Sequence, residues 1–337
     1  MEMCSSRCGI RNRMRLFVRS AAWCGIAAAA LPFAHAAAQG YPAKPVRFVV
    51  PYPASGVNDI VARLLGQRMA SALGQPWIVD NRPGRGGIIG TDSVAKSAAD
   101  GYTLVHGGMG SLTLGPFLNK LPYDTLRDFA PITLTSRAPN VLAVHPSLPA
   151  RTVKELIALA KAHPDKLSYA TSGVGSTPHL SAALFVSMAN VRMVHIPYKG
   201  GAPATTDLVA GQVPMAFAPI ASVLAHIASG RVRGLGVTGL TRSRSLPQLP
   251  TIAEAGLAGF EMNPWFGVLA PAGTPPDVLA KLNAELVRSL RSSDIAAQLA
   301  RQGVEAAYCT PEEFSALIGS DLKKWSKVIA DAGIKGE

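Results

Sequence analysis

The sequence predicts an α/β protein of two domains, each a mostly parallel sheet flanked by helices, joined by two extended crossings that act as a hinge. Short runs of β-branched and aromatic residues alternate with stretches whose apolar residues recur at helical spacing, the mark of repeated strand–helix units. At 337 residues the chain suits about two domains of roughly 150 residues each. The alternation also breaks twice, at residues 132–145 and 265–271, where apolar extended chain runs on without a helix. A composition 48% hydrophobic and 16% charged is that of an ordered globular protein.

Residues 1–38 read as a secretory signal. Arg7, Arg11, Arg13, Arg15 and Arg19 precede or enter an apolar stretch from 21 to 33, and Ala34-His35-Ala36 fits an A-x-A cleavage site. The apolar run is shorter than the roughly 20 residues that span a bilayer. Removing this segment takes five arginines and Glu2, so the formal charge falls from +12 to +8. It also takes Cys4, Cys8 and Cys24, leaving Cys309 alone, so the exported protein holds no internal disulfide. The remaining Lys and Arg are scattered, with no basic run and no aromatic platform, which argues against nucleic acid as a partner. The positive balance reads as solubility and mild attraction of anions.

The first strand, 46–50, is stopped by Pro51 and Pro53, and Ala54, Ser55 and Gly56 turn the chain. Asn58 or Ser55 is expected to cap the helix that follows, with Ile60, Val61, Leu64, Leu65 and Met69 as its apolar stripe. A strand feeding a small-residue turn at a helix start leaves N–H groups pointing outward, an anion site. Strand 77–80, the Gly86-Gly87 turn, helix 88–97 and strand 103–106 extend the pattern to a glycine turn at 107–111. After the first crossing, Thr152 and Glu155 supply a capping box for a helix through His163. Strands 167–171, 194–197, 214–218 and 232–238 then alternate with helices 178–189, 202–210 and 220–229. Pro275 and Pro276 open a last helical stretch after the second crossing, too short for a third domain, which should pack back on the first.

In open α/β sheets ligands bind beyond the carboxyl ends of the strands, so the turns at 54–56, 86–87, 107–111 and 172–177 should line one cleft. The turn at 172–177 lacks the Lys-Ser/Thr ending of a phosphate loop, and no dinucleotide fingerprint follows from its glycines. His106, His145, His163, His179, His195 and His226 include no pair at metal-ligand spacing, and there is no nucleophile elbow, so no metal or cofactor is expected. His179 is expected to order its loop. Tyr198 and Lys199 sit in a further strand–turn–helix unit, where a hydroxyl and a positive potential could meet a ligand.

Several motifs in order carry a resemblance: Tyr41-Pro-Ala-Lys-Pro-Val-Arg-Phe-Val-Val-Pro, Asn81-Arg-Pro-Gly, Asp100-Gly-Tyr-Thr-Leu, His195-Ile-Pro-Tyr-Lys-Gly, Leu249-Pro-Thr-Ile-Ala-Glu-Ala-Gly and Trp265-Phe-Gly. From about residue 41 to 334 the chain resembles the tripartite tricarboxylate transporter receptors, the Bug family of periplasmic solute-binding proteins. The resemblance implies a type II, Venus-flytrap periplasmic binding protein. Its domain 1 would comprise 39–141 and 266–337, and its domain 2 would comprise 142–265. It further implies a monomeric receptor that captures a small carboxylate and delivers it to a membrane permease. Family ligands include di- and tricarboxylates, acidic amino acids and related acids. An exported enzyme acting on a small acid, or a receptor serving a sensor kinase, are the alternatives. The candidate ligand-binding set is Tyr52, Ala54, Ser55, Gly56, Asn58, Asp59, Gly86, Gly87, Met109, Ser111, Ser172, Gly173, Gly175, Ser176, Thr177, His179, Tyr198, Lys199, Ala204 and Asp207. Ala54-Ser55 stands where the family carries a glycine pair, and Ser55 adds a hydroxyl that should alter ligand preference.

Overall fold

A computed structural model describes residues 40–54 and 56–334; the signal segment and Ser55 lie outside the described residues. The strands are β1 (Val46–Val50), β2 (Trp77–Asn81), β3 (Thr103–Gly108), β4 (Phe129–Arg137), β5 (Asn140–Val144), β6 (Ser168–Thr171), β7 (Val194–Pro197), β8 (Met215–Pro219), β9 (Arg233–Val237), β10 (Trp265–Pro271) and β11 (Glu305–Ala306). The α-helices are α1 (Val57–Leu73), α2 (Ile88–Ala95), α3 (Gly115–Leu118), α4 (Val153–Ala162), α5 (Thr177–Ala189), α6 (Gly201–Val209), α7 (Ile220–Ala228), α8 (Pro276–Leu290), α9 (Ser293–Arg301) and α10 (Pro311–Asp331).

Local chemistry accounts for many of these boundaries. In β1, Val46, Phe48, Val49 and Val50 are all fully buried, as a strand covered on both faces requires. Helix α1 buries Val61, Ala62, Leu65 and Met69 and ends at Gly74, whose left-handed φ of 72° lets its N–H reach the Ala70 carbonyl. The Thr152 hydroxyl accepts the Glu155 N–H at 3.1 Å and opens α4. The Glu155 carboxylate reaches back to the Arg151 amide at 2.7 Å, one residue short of the reciprocal bond of a full capping box.

The two sheets are mixed where mostly parallel sheets were expected. In the first, ordered β11-β4-β10-β3-β1-β2, only β1–β2 and β1–β3 are parallel. In the second, ordered β7-β6-β8-β5-β9, only β6–β7 and β6–β8 are. The physical reason lies in the crossings. Strand β4 leaves the first sheet and β5 enters the second after two residues, while β10 returns to the first after 238–264. A strand arriving from the other lobe runs against strands that end at that boundary, so β10 is antiparallel to both β3 and β4.

The closing helices tie the lobes together. Helices α8 and α9 cover the back of the first sheet with Leu282, Leu286, Ile295 and Leu299. Helix α10, started by the Thr310–Glu313 capping box, lies against β4 and also against α5 of the other lobe. One apolar cluster therefore runs from Val49, Val105 and Leu112 through Phe314 and Trp325 to Phe185 and Phe217, and the described residues form one compact unit. The Trp265 indole N–H donates to Asp321 at 2.7 Å and fixes α10 to β10, and between the lobes the Ser245 hydroxyl donates to the Ala300 carbonyl at 3.0 Å.

Candidate functional site

The carboxyl ends of β1 and β3 meet those of β6, β7 and β8 across a cleft. Contact at this boundary is close: a Cβ on Gly175, after β6, would come within 2.8 Å of Leu118 Cδ1, and one on Gly303 would run into Ile220 Cγ2. Helices α1, α2, α5, α6 and α7 all begin at the cleft ends of strands, so their positive N-terminal poles converge there. Four of the five lack a side-chain cap. Gly56, Gly87, Gly200 and Pro219 stand in the cap positions of α1, α2, α6 and α7, and none can accept a first-turn N–H through a side chain. Helices α4 and α10, which start elsewhere, are capped by threonine hydroxyls. At α2 the Ile88 and Ile89 N–H groups go to the Arg85 and Gly84 carbonyls and at α7 the Ile220 N–H goes to the Pro139 carbonyl, so it is chiefly at α1 and α6 that first-turn amides face the cleft.

Gly56 takes the cap position of α1 that the sequence assigns to Asn58 or Ser55. Asn58 is inside the helix and buried, and its side-chain amide donates to the His106 carbonyl at 3.2 Å. The His106 ring below it lies 3.2 Å from the Asn58 carbonyl through Nδ1 and 2.8 Å from the Thr135 hydroxyl through Nε2. Burial drives its pKa down to about 3, so the neutral ring braces α1 to β3 and β4. Asp59 is likewise engaged: its carboxylate accepts from Arg63 at 2.9 Å and from Asn81 at 3.0 Å, tying α1 to the end of β2.

The wall of the first lobe is built around Tyr52. Its ring lies where a side chain on Gly87 would be, since a Cβ there would meet Tyr52 Cζ at 3.2 Å and Ser111 Cβ at 3.3 Å. Gly87 also adopts φ 98°, a conformation that favours glycine. The Thr91 hydroxyl donates to the Gly87 carbonyl at 2.8 Å and lies 3.2 Å from the Ser111 hydroxyl, locking α2 to the π-helical turn Gly110–Leu114. Desolvation raises the Tyr52 phenol pKa, partly offset by hydrogen bonds from Ser111. Two of the four predicted turns, 86–87 and 107–111, are thereby brought together against Tyr52, with Met109 buried in the second. Ala54 and Gly86 are exposed.

The wall of the second lobe uses its backbone differently from the outward-pointing amides expected. Gly173 N–H donates to the Thr171 hydroxyl at 3.3 Å, Gly175 N–H to His179 Nδ1 at 3.1 Å, and Ser176 N–H to the Gly173 carbonyl at 3.3 Å. The Ser176 hydroxyl caps α5 by accepting the His179 N–H at 3.3 Å, and Thr177 is the helix's first residue. These amides are consumed within the turn. The Ser172 hydroxyl in this turn is buried and has no partner. His179 stacks on His195 at 4.1 Å and 6°, and Tyr169 packs on the far side of His195 at 5.2 Å. Burial and the neighbouring ring lower the His179 pKa to about 4, keeping Nδ1 free to accept from Gly175. The Tyr198 hydroxyl donates to Asp207 at 2.6 Å, so these two satisfy each other, and the bond pushes the phenol pKa up to about 12. Lys199 is exposed and Ala204 buried.

Sequence reading missed Thr205, buried one turn inside α6 with an unpartnered hydroxyl, and the positioning part of His195. A spacing of four from Gly201 places Thr205 on the face of α6 that starts at the cleft, a signal present in the sequence. Among the described residues, no group of three or more His, Cys, Asp or Glu is arranged to hold a metal.

The family model of the tripartite tricarboxylate transporter family receptor matches residues 61–334. Protein BugT of Bordetella pertussis is 38% identical over 300 residues, covering 88% of this chain and 92% of BugT. Among solved structures, Rpa4515 of R. palustris, determined with adipate, is 36% identical with a TM-score of 0.77, covering 88% of this chain and 100% of that one. MatC of Rhodopseudomonas palustris, with bound malate, is 32% identical with a TM-score of 0.72, covering 86% and 100%. With these matches spanning both lobes and the cleft between them, the chain belongs to the tripartite tricarboxylate transporter receptor family and has the fold of the periplasmic binding proteins.

Proposed function

We propose that the protein is a periplasmic receptor that captures a small carboxylate in the cleft between its lobes and hands it to the membrane permease of a tripartite tricarboxylate-type transporter. The observation that carries this reading is the set of uncapped helix starts at the cleft. Amides fixed at a helix N-terminus hold an anion without a buried cation, and the positive end of the helix adds to them. Closure excludes water, which strengthens each N–H to carboxylate bond in a medium of lower dielectric. The adipate of Rpa4515 and the malate of MatC, ligands of the same charge class, support the same reading. In this account Tyr52, Gly87 and Ser111 shape one wall, Ser172 and the start of α6 the other, and Asp59 and His179 hold those walls in place. The bound acid leaves chemically unchanged.

A thermal-shift screen over mono-, di- and tricarboxylates, acidic amino acids and aromatic acids tests the proposal. A ligand at 100 times its Kd adds about 2.7 kcal/mol to stability, which is readily seen as a raised midpoint. No shift with any acid would overturn the reading.

A further inference from the structure

The second lobe carries a cavity of about 790 Å³ away from the cleft. It is bordered by Arg233 at the start of β9, by the start of α4, by the end of α7 and by the segment 248–255. Arg233 pairs with Val144, and Val144 with Met215, the first residue of β8, whose last residue, Pro219, stands at the cleft. The four steps from Met215 to Pro219, at about 3.3 Å each, set roughly 13 Å of sheet between the cavity and the cleft. None of the residues lining it belongs to the ligand walls.

Charge in this cavity is unbalanced. Arg151, Lys154, Arg233 and Arg242 line it against one carboxylate, Glu254. Glu254 is already engaged, accepting from Arg242 Nε at 2.8 Å and from the Thr251 N–H at 3.1 Å. Glu155, next to Lys154, is turned to the Arg151 N–H at 2.7 Å. Arg233 is half-buried and is held at the wall by donating to the Ala150 carbonyl at 3.1 Å, a neutral partner. The stem of Lys154 packs over Gly256, where a Cβ would meet its Cγ at 2.5 Å, and the residue as a whole is exposed. Among the described residues, no ion pair engages Arg151, Lys154 or Arg233. Unpaired like charges around one cavity repel one another, and an anion between them removes that cost.

The kind of anion follows from charge and space. A carboxylate brings a single charge, whereas a phosphate monoester brings close to two at neutral pH, with three acceptor oxygens. Guanidinium forks match such oxygens bidentately, and a lysine adds a point charge. The first N–H groups of α4, at Val153 and Lys154, have no carbonyl to meet within the helix and start at the same rim. Inorganic phosphate would occupy little of this volume, and the floor is apolar, formed by Ile227, Leu249 and Pro250. A cavity of this size suits an organic ligand whose body lies on that floor. We propose that the cavity is a second binding site, separate from the cleft, for a phosphate monoester whose head is held by Arg151, Lys154 and Arg233.

The test uses phenyl phosphate and its monoanionic counterpart phenyl sulfate, titrated by calorimetry into the wild type, the double variant Arg151→Gln/Lys154→Gln and Gly87→Ala in the cleft wall. The wild type should bind phenyl phosphate about tenfold more tightly than phenyl sulfate, and the double variant should lose about tenfold for phenyl phosphate. Gly87→Ala should bind it as the wild type does. The melting midpoint of the double variant should stay within about 2 °C of the wild type, since both side chains are exposed and neither is in an ion pair. Should that variant fail to fold, Lys154→Gln alone carries the comparison, with a loss of about threefold. Phosphatidylcholine vesicles carrying about one-fifth phosphatidic acid separate the sources of the group. Vesicle binding that the double variant loses would assign the site to a lipid headgroup, and no vesicle binding would assign it to a soluble ester; either upholds a phosphate monoester site. Equal affinity for phenyl phosphate and phenyl sulfate would reduce the cavity to general attraction of anions and overturn the proposal. So would wild-type affinity in the double variant, or a loss that follows Gly87→Ala instead, which would place phenyl phosphate in the cleft.

Discussion

Lowering the pH from 7 to 5 should destabilise this protein by about 2 kcal/mol through His106 alone. The ring is fully buried, held between the Asn58 carbonyl and the Thr135 hydroxyl, and desolvation takes its pKa from 6.5 to about 3. The unfolded imidazole takes up a proton near 6.5, whereas the folded one stays neutral until about 3. Throughout that window the unfolded state binds more protons, so stability falls as the pH falls. Each pH unit is worth about 1.36 kcal/mol, and the roughly 1.5 units between 6.5 and 5 give about 2 kcal/mol. His179 and His195 are also held low by burial and add to the slope with the same sign, so the assay is a difference. Urea unfolding at pH 7 and pH 5 is compared for the wild type and His106→Gln. The variant should be less stable at pH 7, with a bracing side chain altered, yet lose about 2 kcal/mol less than the wild type on going to pH 5. Equal losses in the two proteins would refute the neutral buried brace.

Two glycines offer further tests. A Cβ on Gly90 would come within 2.6 Å of the Arg82 carbonyl and 2.7 Å of Pro51 Cα, both backbone, so Gly90→Ala should cost about 1–3 kcal/mol in denaturant unfolding, with α2 forced off the end of β1. Gly87→Ala combines a left-handed φ with displacement of the Tyr52 ring. It should weaken carboxylate binding about tenfold by calorimetry with only about 1 kcal/mol lost in stability, and unchanged affinity would remove Tyr52 and Gly87 from the ligand wall.

Much of the fold was legible because local burial patterns are written locally. The apolar runs of β1 and β10, the cap at Thr152, the prolines that open α8 and the helical spacing of α1 each depend on residues a few positions apart, and each element stands where its pattern places it. Strand direction is not written that way. The side chains of β10 would read the same in a parallel sheet, and only the chain's return from the other lobe makes it antiparallel to β3 and β4. The candidate site divides likewise. Small-residue turns at strand ends marked where the cleft walls are, because a turn before a helix needs particular residue types. Which donors remain free was decided by partners distant in the sequence: His195 stacking on His179, Asn81 reaching Asp59, Thr135 meeting His106. Thr205 and Thr206 look alike as residues, yet the Thr206 hydroxyl bonds its own helix and the Thr205 hydroxyl is buried with no partner. The sequence by itself determined the strand–helix order and the location of the turns, since those follow from backbone preference and periodic burial. The tertiary structure decided which amides and hydroxyls are left for a ligand, since a hydrogen bond is satisfied in space and not along the chain.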